Sequence, residues 1–496
     1  MRVQLTGVPE FNGRNLMTLY YFLPENDGSP SLSVQDSDTL SNLTVLEQVV
    51  ATLLKYGSSG RYETYLAKSW EATSDQRIWT FRLNLDFVAD DGTRIDALSF
   101  ARNFKRLLNI HRLNGDPPTF KDLVGWDEFK LGNESNLGID TPSVDVLIFR
   151  FTKPPAGLLE FLSMPMYGFY ADRDFDGLKW KDKTQITASG DYRVLAKLEN
   201  GFELGIRREN PGSAPNKVFV NTFTQERKKA VGSAAVIVSE RTNPWADLPI
   251  GFERITGIPT ILHGLVVTPN LENVFADKSN RQVFAETVLR INRERPLSYG
   301  NSALAKAFYA NPSPDLETKL RQKQTKGSMA KIESDRSIRC VVGPSEPPRV
   351  IEHIKSIFDE VSKIHGLKIE MVNEDRTDPA WEERRYGNNF FDIRPAIVEV
   401  GAQIQDWAVN MMFCSSLGIS FPDPSGEICK IIHGHSSLSE ISNELRERFE
   451  LAVADDAVVL PLYHTGQSWL INSKVDKNTI SPTMGLPRFI TLKVTE

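Results

Sequence analysis

Three side chains near the end of the chain have spacing that could suit a metal ion. Cys429, His433 and His435 form a C-x3-H-x-H pattern, and in a helix the first two would share one face. Structural zinc sites usually have four protein ligands, and the pattern also fits an ordinary helix end stopped by Gly434. We therefore expect no metal, and keep these three residues as the alternative.

Paired acidic residues are a second kind of candidate, because two carboxylates in one cleft can divide the roles of acid and base. The pairs are Asp90–Asp91, Glu382–Glu383 and Asp455–Asp456. The first lies in a turn, the second in a charged stretch and the third before an apolar run. We interpret them as solvated surface or strand entry, which leaves a hydrolase with dispersed carboxylates as an alternative.

Compact catalytic motifs are missing from the sequence. The 496 residues contain no G-x-S-x-G, H-E-x-x-H, C-x-x-C, P-loop or G-x-G-x-x-G pattern. Such motifs build a nucleophile, a zinc site or a phosphate cradle from residues close in sequence. The sequence therefore predicts no enzyme, no catalytic residue and no cofactor, although a triad assembled from distant residues stays open.

The composition excludes further classes. The net charge is -6 and no basic run occurs, so we expect no nucleic-acid partner. No window of 18 apolar residues predicts a membrane span. The first thirty residues have no apolar signal core, which describes either a cytoplasmic protein or one whose export signal has been removed. Three cysteines leave one disulfide bridge open.

Apolar periodicity predicts an α/β fold. Helical spacing is found over 41–56, 99–108, 279–294 and 439–452, and alternation over 66–71, 79–85, 144–151, 192–206 and 457–463. The helix at 279–294 is expected to begin with a capping box from Ser279 to Gln282. The strand 338–343, a helix opened by Pro347-Pro348 and closed by Gly366, and the strand 367–371 form a βαβ crossover, which requires a parallel sheet.

Four segments in order resemble one known family. Leu66 to Leu108 contains LAKSWE, TFRL, DGT and FKRL; later come SGDY at 189–192, RQ at 281–282 with INRE at 291–294, and VLPLY at 459–463. This series is similar to the bacterial oligopeptide/dipeptide/nickel solute-binding family of ABC importers. Two positions depart from the family pattern: Phe87-Val88-Ala89 precedes the DGT turn, and Asp191 replaces a proline.

The resemblance implies a two-lobed, periplasmic-binding-protein-like (type II) α/β fold with an extra subdomain in the first half. The expected division is lobe I over 1–58, 151–255 and 469–496, the extra subdomain over 59–150, and lobe II over 256–468. In such a fold a ligand is captured between two lobes that rotate about hinge strands.

The resemblance also gives ligand-binding candidates. Peptide-binding members carry W-x-A-D-Y-P-D-P, whose first Asp meets the peptide's α-ammonium, and the matching segment here places Ser420 at that Asp. A serine cannot neutralise a buried cation, so free peptide N-termini are expected to bind poorly. The candidates are Trp407, Ser420, Phe421, Asp423 and Tyr463, with Trp469 as a further aromatic wall. Core packing, or a turn for 420–424, is the alternative.

We therefore expect a solute-binding receptor that captures a peptide or similar small solute for an ABC importer without catalysis. Its partners would be that ligand and an ABC permease, and the protein would be a periplasmic or extracellular monomer. The alternative is a ligand-sensing module on the same fold, which a cytoplasmic location would favour.

Overall fold

The computed structural model describes most of the chain. The described residues are 17–23, 29–36, 40–57, 61–112, 119–155, 157–207, 212–222, 234–241, 250–257, 261–269, 273–297, 302–309, 312–324, 331–334, 336–342, 348–373, 391–399, 413–414, 421–433, 443–480 and 487–495.

Strands and helices alternate through these ranges. The strands are β1 Thr18–Leu23, β2 Leu54–Tyr56, β3 Tyr62–Thr64, β4 Ala67–Ala72, β5 Ile78–Leu83, β6 Ile139–Ser143, β7 Val146–Arg150, β8 Phe175–Asp176, β9 Lys179–Trp180, β10 Tyr192–Leu198, β11 Gly201–Ile206, β12 Lys217–Thr222, β13 Ala235–Arg241, β14 Phe252–Thr256, β15 Ile261–Val267, β16 Ala303–Leu304, β17 Ile338–Val342, β18 Ile369–Asn373, β19 Ile393–Glu399, β20 Val459–Thr465 and β21 Ser468–Asn472. The helices are α1 Leu40–Val49, α2 Ala97–His111, α3 Trp126–Lys130, α4 Leu158–Phe161, α5 Lys278–Glu294, α6 Pro314–Gln324, α7 Pro348–His365, α8 Glu427–His433 and α9 Asn443–Asp456.

Two large mixed sheets organise the molecule, as the predicted α/β class requires. The first has the order β10-β11-β12-β1-β13-β21-β14 and the second β16-β20-β15-β19-β17-β18 within the described residues. We call the bodies built on them lobe I and lobe II. In lobe I, β1 runs parallel to both β12 and β13.

The predicted βαβ unit lies in lobe II. β17 and β18 are parallel neighbours, and α7 connects them, burying Ile354, Ile357 and Val361 on one face. Gly366 follows the last helical residue with a φ of 75°, a left-handed conformation that favours glycine at a helix end. This part of the sequence prediction is confirmed.

The predicted hairpin of the extra subdomain is also confirmed. β4 and β5 pair antiparallel and continue into a four-stranded sheet, β4-β5-β7-β6, in the described chain. Phe104 of α2 meets Phe149 edge to face at 5.3 Å, and Phe149 meets Phe81 at 5.8 Å. Buried aromatic side chains therefore hold the helix on the sheet.

The subdomain is tied to lobe I through the Ser-Gly-Asp-Tyr segment. Arg207 in lobe I donates to Asp90 at 2.6 Å and to the carbonyl oxygens of Ser189 and Gly190. Tyr65 donates to Asp191 at 2.8 Å. A Cβ on residue 190 would lie 2.6 Å from a backbone oxygen of α1, so this close approach requires glycine.

Two helix boundaries predicted from the sequence are wrong. The first helix ends at Val49, and Leu54–Tyr56 forms a strand paired with β3, because its buried leucines fit either periodicity. The cap of α5 is Asp277, whose carboxylate accepts from Ser279 N. Gln282 instead donates to a carbonyl oxygen near the end of α9.

The chain leaves the first sheet after β14 and returns to it at β21. Every described strand between these two belongs to the second sheet. The exact domain boundaries stated above remain our proposal. No helix in the described residues is long and apolar enough to cross a membrane.

A buried ion pair lies where lobe I meets the subdomain. Lys55 is 1% exposed, and its Nζ lies 2.7 Å from the Glu47 carboxylate. We expect Lys55→Met to lower the free energy of unfolding by about 3–5 kcal/mol, because it leaves a buried carboxylate unpaired. Urea denaturation measures this. The control, Glu47→Gln with Lys55→Met, should recover most of the loss, and a double variant as unstable as the single one would contradict the explanation.

Candidate functional site

Two adjacent strands connect the lobes. Among the described residues the chain passes from β14 to β15 and returns from β20 to β21. Thr256 pairs with Ser468 on the lobe I side, Ile261 pairs with Thr465 on the lobe II side, and Gly257 N donates to Gln467 O at 2.7 Å between them. The connection is therefore one antiparallel ribbon, which we call the crossing ribbon.

The carboxyl ends of the parallel strands meet at this ribbon. In lobe I, the end of β13 at Arg241 pairs with Ser468 of the ribbon, and β1 and β12 run in the same direction. In lobe II, the end of β19 at Glu399 pairs with Ile261, and β17 and β18 are parallel to it. Ligands of α/β proteins bind outside such carboxyl ends, so the gap between these edges is the candidate site.

One side of the ribbon carries a row of buried side chains. Tyr463, Thr465, Gln467 and Trp469 are each at least nine-tenths buried, and alternate residues of an extended chain point the same way. His263 lies against this row: its ring stacks on Tyr463 with centroids 4.4 Å apart, and its Nε2 is 2.9 Å from Thr465 Oγ1. We call these five residues the ribbon row.

The opposite side of the ribbon is hydrogen-bonded within the protein. His464 Nε2 lies 2.9 Å from the carbonyl oxygen of Phe308. Ser468 donates to Glu240 at 2.9 Å, and Arg254 donates to both oxygens of that carboxylate at 2.7 and 2.9 Å. Glu240 lies at a register shift in β13, which turns it toward the ribbon. Its charge is therefore neutralised by Arg254.

Three polar atoms of the ribbon row lack a hydrogen-bond partner within the described structure. They are Gln467 Oε1, Trp469 Nε1 and His263 Nδ1, and all are buried. Buried polar atoms in native proteins nearly always have partners. Their concentration on one side of the ribbon indicates a place where another molecule can complete the bonding.

Burial also fixes the charge of this region. It lowers the pKa of His263 to about 3, with the nearby His464 as a second cause, and it lowers the pKa of His464. Both imidazoles are therefore neutral at neutral pH, and the ribbon row offers hydrogen bonds without a formal charge.

The ligand candidates from the sequence have different environments. Trp407 and Ser420 lie outside the described residues. Tyr463 belongs to the ribbon row. Phe421 is 4% exposed and meets Phe413 edge to face at 5.3 Å in a core of lobe II. A ligand contact for Phe421 stays a prediction beside this packing role.

Asp423 caps helix α8. Its carboxylate accepts from Cys429 N at 2.8 Å, which satisfies one of the first N–H groups of the helix. Cys429 forms a disulfide with Cys414, so it has no free thiolate for a metal ion. The side chains of His433 and His435 lie outside the described set, and within that set no group of three or more His, Cys, Asp or Glu residues could hold a metal.

Sequence reasoning missed His263 and Gln467, and named Trp469 only as an aromatic wall. A polar residue inside an otherwise apolar strand is the signal that could have found them. ILHGLVV and VLPLYHT are buried along their whole length, and a histidine in such a strand must have either a partner or a function.

Two hollows inside lobe II are too small for a solute of peptide size. They have volumes of about 40 and about 30 Å³ and adjoin Lys306 and Pro461, which is room for a few water molecules. Burial raises the pKa of Glu450, which lines the smaller one, to about 7. Its carboxylate accepts from Phe308 N and Tyr309 N, a structural role.

Comparison with known proteins finds a family match in the first half of the chain. Residues 61–201 match the family described as "Bacterial extracellular solute-binding proteins, family 5 Middle". A 71-residue stretch, 14% of this chain and 14% of the relative, is 34% identical to the nickel-binding periplasmic protein of Escherichia coli strain K12.

Solved structures share the whole fold. A periplasmic oligopeptide-binding protein of Borrelia burgdorferi matches 97% of this chain and 100% of its own, with a TM-score of 0.74 and 15% identity. The murein tripeptide binding protein of Escherichia coli matches 98% and 99%, with a TM-score of 0.72 and 16% identity.

These findings confirm both the resemblance inferred from the sequence and the two-lobed type II fold. Residues 61–201 match the model of the family 5 solute-binding proteins, and the whole chain shares its fold with the two solved binding proteins.

The neutral His263 makes the stability of the protein depend on pH. The folded state does not bind this proton until pH falls to about 3, whereas an unfolded histidine binds it near 6.5. Stability is therefore lost as pH falls below 6.5. When the pH is lowered from 6.5 to 5, we expect the free energy of unfolding of His263→Gln to fall by about 2 kcal/mol less than that of the wild type. Urea denaturation at the two pH values measures the difference, and equal losses would contradict it.

The Cys414–Cys429 disulfide should stabilise the protein. It joins residues 15 apart in sequence, and closing a loop of this length stabilises by about 3 kcal/mol. We expect Cys414→Ser with Cys429→Ser to lower the thermal midpoint of the oxidised protein. The control Cys340→Ser, at a buried cysteine outside this disulfide, should keep the wild-type difference in midpoint between oxidised and reduced protein. A wild type whose midpoint is insensitive to reductant would contradict this.

Proposed function

We propose that the protein is a solute-binding receptor that closes its two lobes on a peptide or similar small solute and delivers it to an ABC importer. The crossing ribbon is the observation that carries this proposal. It joins two rigid sheets whose parallel strands end at a common gap, and rotation about a short ribbon opens or closes such a gap without disturbing either sheet.

The comparisons support the type of ligand. The solved relatives are named for binding oligopeptides and a murein tripeptide, and the matched family is a class of extracellular solute-binding proteins. The same similarity supports our proposal of a periplasmic or extracellular location and of an ABC permease as partner.

We infer that the protein binds without turnover. The buried carboxylate at the ribbon, Glu240, accepts from Arg254 and Ser468, so it is not placed as a base. His263 contacts the hydroxyl of Thr465, but its Nδ1 has no third group in the described structure to orient it as a base, and His464 contacts a carbonyl oxygen. The described polar groups at the gap are suited to holding a ligand.

Native mass spectrometry of the freshly purified full chain tests the proposal. We expect an adduct of several hundred daltons that is lost on denaturation, and fragmentation shows whether it is a peptide. A protein that carries no adduct and gains no thermal stability from a pool of di- to hexapeptides would overturn the peptide assignment, because a ligand at 100 times its Kd stabilises by about 2.7 kcal/mol.

The N-terminus of the ligand is tested with the same pool. Because Ser420 cannot neutralise an α-ammonium, acetylation of the peptides should leave their affinity unchanged or improve it. A loss of tenfold or more on acetylation would show that an anion elsewhere in the protein binds the free amine. The free and the acetylated peptide pools are measured on the same protein preparation.

A further inference from the structure

The ribbon row has unfilled hydrogen-bonding capacity where the two lobes join. Gln467 Oε1, Trp469 Nε1 and His263 Nδ1 have no partner in the described structure, and their side chains are at least nine-tenths buried. Gln467 lies between the two sheets, where its backbone also forms the hydrogen bond that joins the strands of the ribbon. Access of a ligand to these atoms requires the lobes to open and, for Trp469, which packs in the apolar core of lobe I, a shift of its side chain.

We propose that the ribbon row is a subsite for an uncharged ligand group that both donates and accepts hydrogen bonds, an amide or a hydroxyl. This inference rests on the proposed function and deepens it by naming the chemistry of the ligand at one place.

The ligand group must both donate and accept because Gln467 Oε1 and Trp469 Nε1 have opposite hydrogen-bonding roles. An amide oxygen such as Gln467 Oε1 accepts only, and an indole N–H such as Trp469 Nε1 donates only. The ligand must therefore supply a donor to Gln467 and an acceptor to Trp469. A carboxylate supplies acceptors alone and an ammonium supplies donors alone, whereas an amide or a hydroxyl supplies both.

The spacing of the row fits such a group. Residues two apart in an extended chain are separated by about 6.6–7 Å, a distance that one amide, with its N–H and C=O on opposite sides, can bridge between two side chains. His263 Nδ1 accepts or donates according to its tautomer, so it can serve either end of the group.

Electrostatics exclude a charged group at the same place. The carboxylate of Glu240 is already neutralised by Arg254, and burial keeps His263 neutral. A charged ligand group would therefore be buried without a counter-charge, which costs several kcal/mol. The ribbon row selects against charge as well as for hydrogen bonding.

Calorimetric titration of the full chain with three probes tests the proposal. The probes are a tripeptide to pentapeptide pool with free ends, the same pool acetylated and amidated, and a pool of neutral oligosaccharides. We expect the blocked peptides or the oligosaccharides to bind at least as well as the free peptides. Which of the two binds distinguishes an amide from a hydroxyl as the group in the subsite.

Two pairs of variants locate the effect. Gln467→Met removes one unpartnered atom at nearly constant shape, Trp469→Phe removes another with a smaller ring, and each should weaken binding of the neutral probe by about tenfold. Gln185→Met, in an exposed loop, and Trp79→Phe, whose Nε1 donates within the subdomain at 2.8 Å, should bind as the wild type does. Thermal unfolding verifies that all four fold.

The outcomes separate the inference from the proposed function. A wild type that binds a probe as tightly as the Gln467→Met and Trp469→Phe variants do would overturn the subsite alone. A wild type that binds the free peptides at least tenfold more tightly than the blocked ones would overturn its neutral character. A wild type that binds none of the three pools would overturn both proposals together.

Discussion

The molecule depends on the hydrogen-bonded register of the crossing ribbon. β14 and β21 pair in lobe I, β15 and β20 pair in lobe II, and the bond from Gly257 N to Gln467 O continues the same antiparallel pairing between them. Because both sheets are paired onto the same two strands, this pairing fixes which edge of each sheet faces the other lobe. The directions of the parallel strands then place their carboxyl ends at one gap, and the ribbon row follows from the alternation of a single extended segment.

The two sides of the ribbon show how polar groups are accommodated at a buried junction. On one side Glu240 has both a cation and a hydroxyl as partners, so its burial is compensated. On the other side Thr465 satisfies one nitrogen of His263, while three atoms stay without partners in the described structure. Unsatisfied polar atoms reduce stability, and their cost is offset only if something binds there. The asymmetry between the two sides is the physical reason to assign binding to one of them.

The sequence predicted the elements whose information is local. The hairpin of the subdomain, the βαβ unit and its closing Gly366 depend on periodicity and turn residues within about 35 positions, and the structure has them. The crossing ribbon could not be found in this way, because its pairing joins residues about 200 apart in sequence. Asp277 was missed as the cap of α5 because aspartate and serine two positions apart are both good caps. Phe421 and Asp423 were nominated by resemblance, and the structure gives them packing and capping contacts that no pattern in the segment distinguishes from ligand contacts.

The position of the extra subdomain follows from the same physics. Arg207 donates to Asp90 and Tyr65 donates to Asp191 across the junction with lobe I, and the buried Lys55–Glu47 pair lies on the lobe I side of this junction. A rotation between subdomain and lobe I would break the bonds of Arg207 and Tyr65 together. A rotation about the crossing ribbon needs only changes in the backbone angles of a few residues, since the sheets on either side stay intact. The subdomain and lobe I therefore move as one body and lobe II as the other. The gap at the ribbon is the place where the relative motion of these two bodies can enclose a ligand.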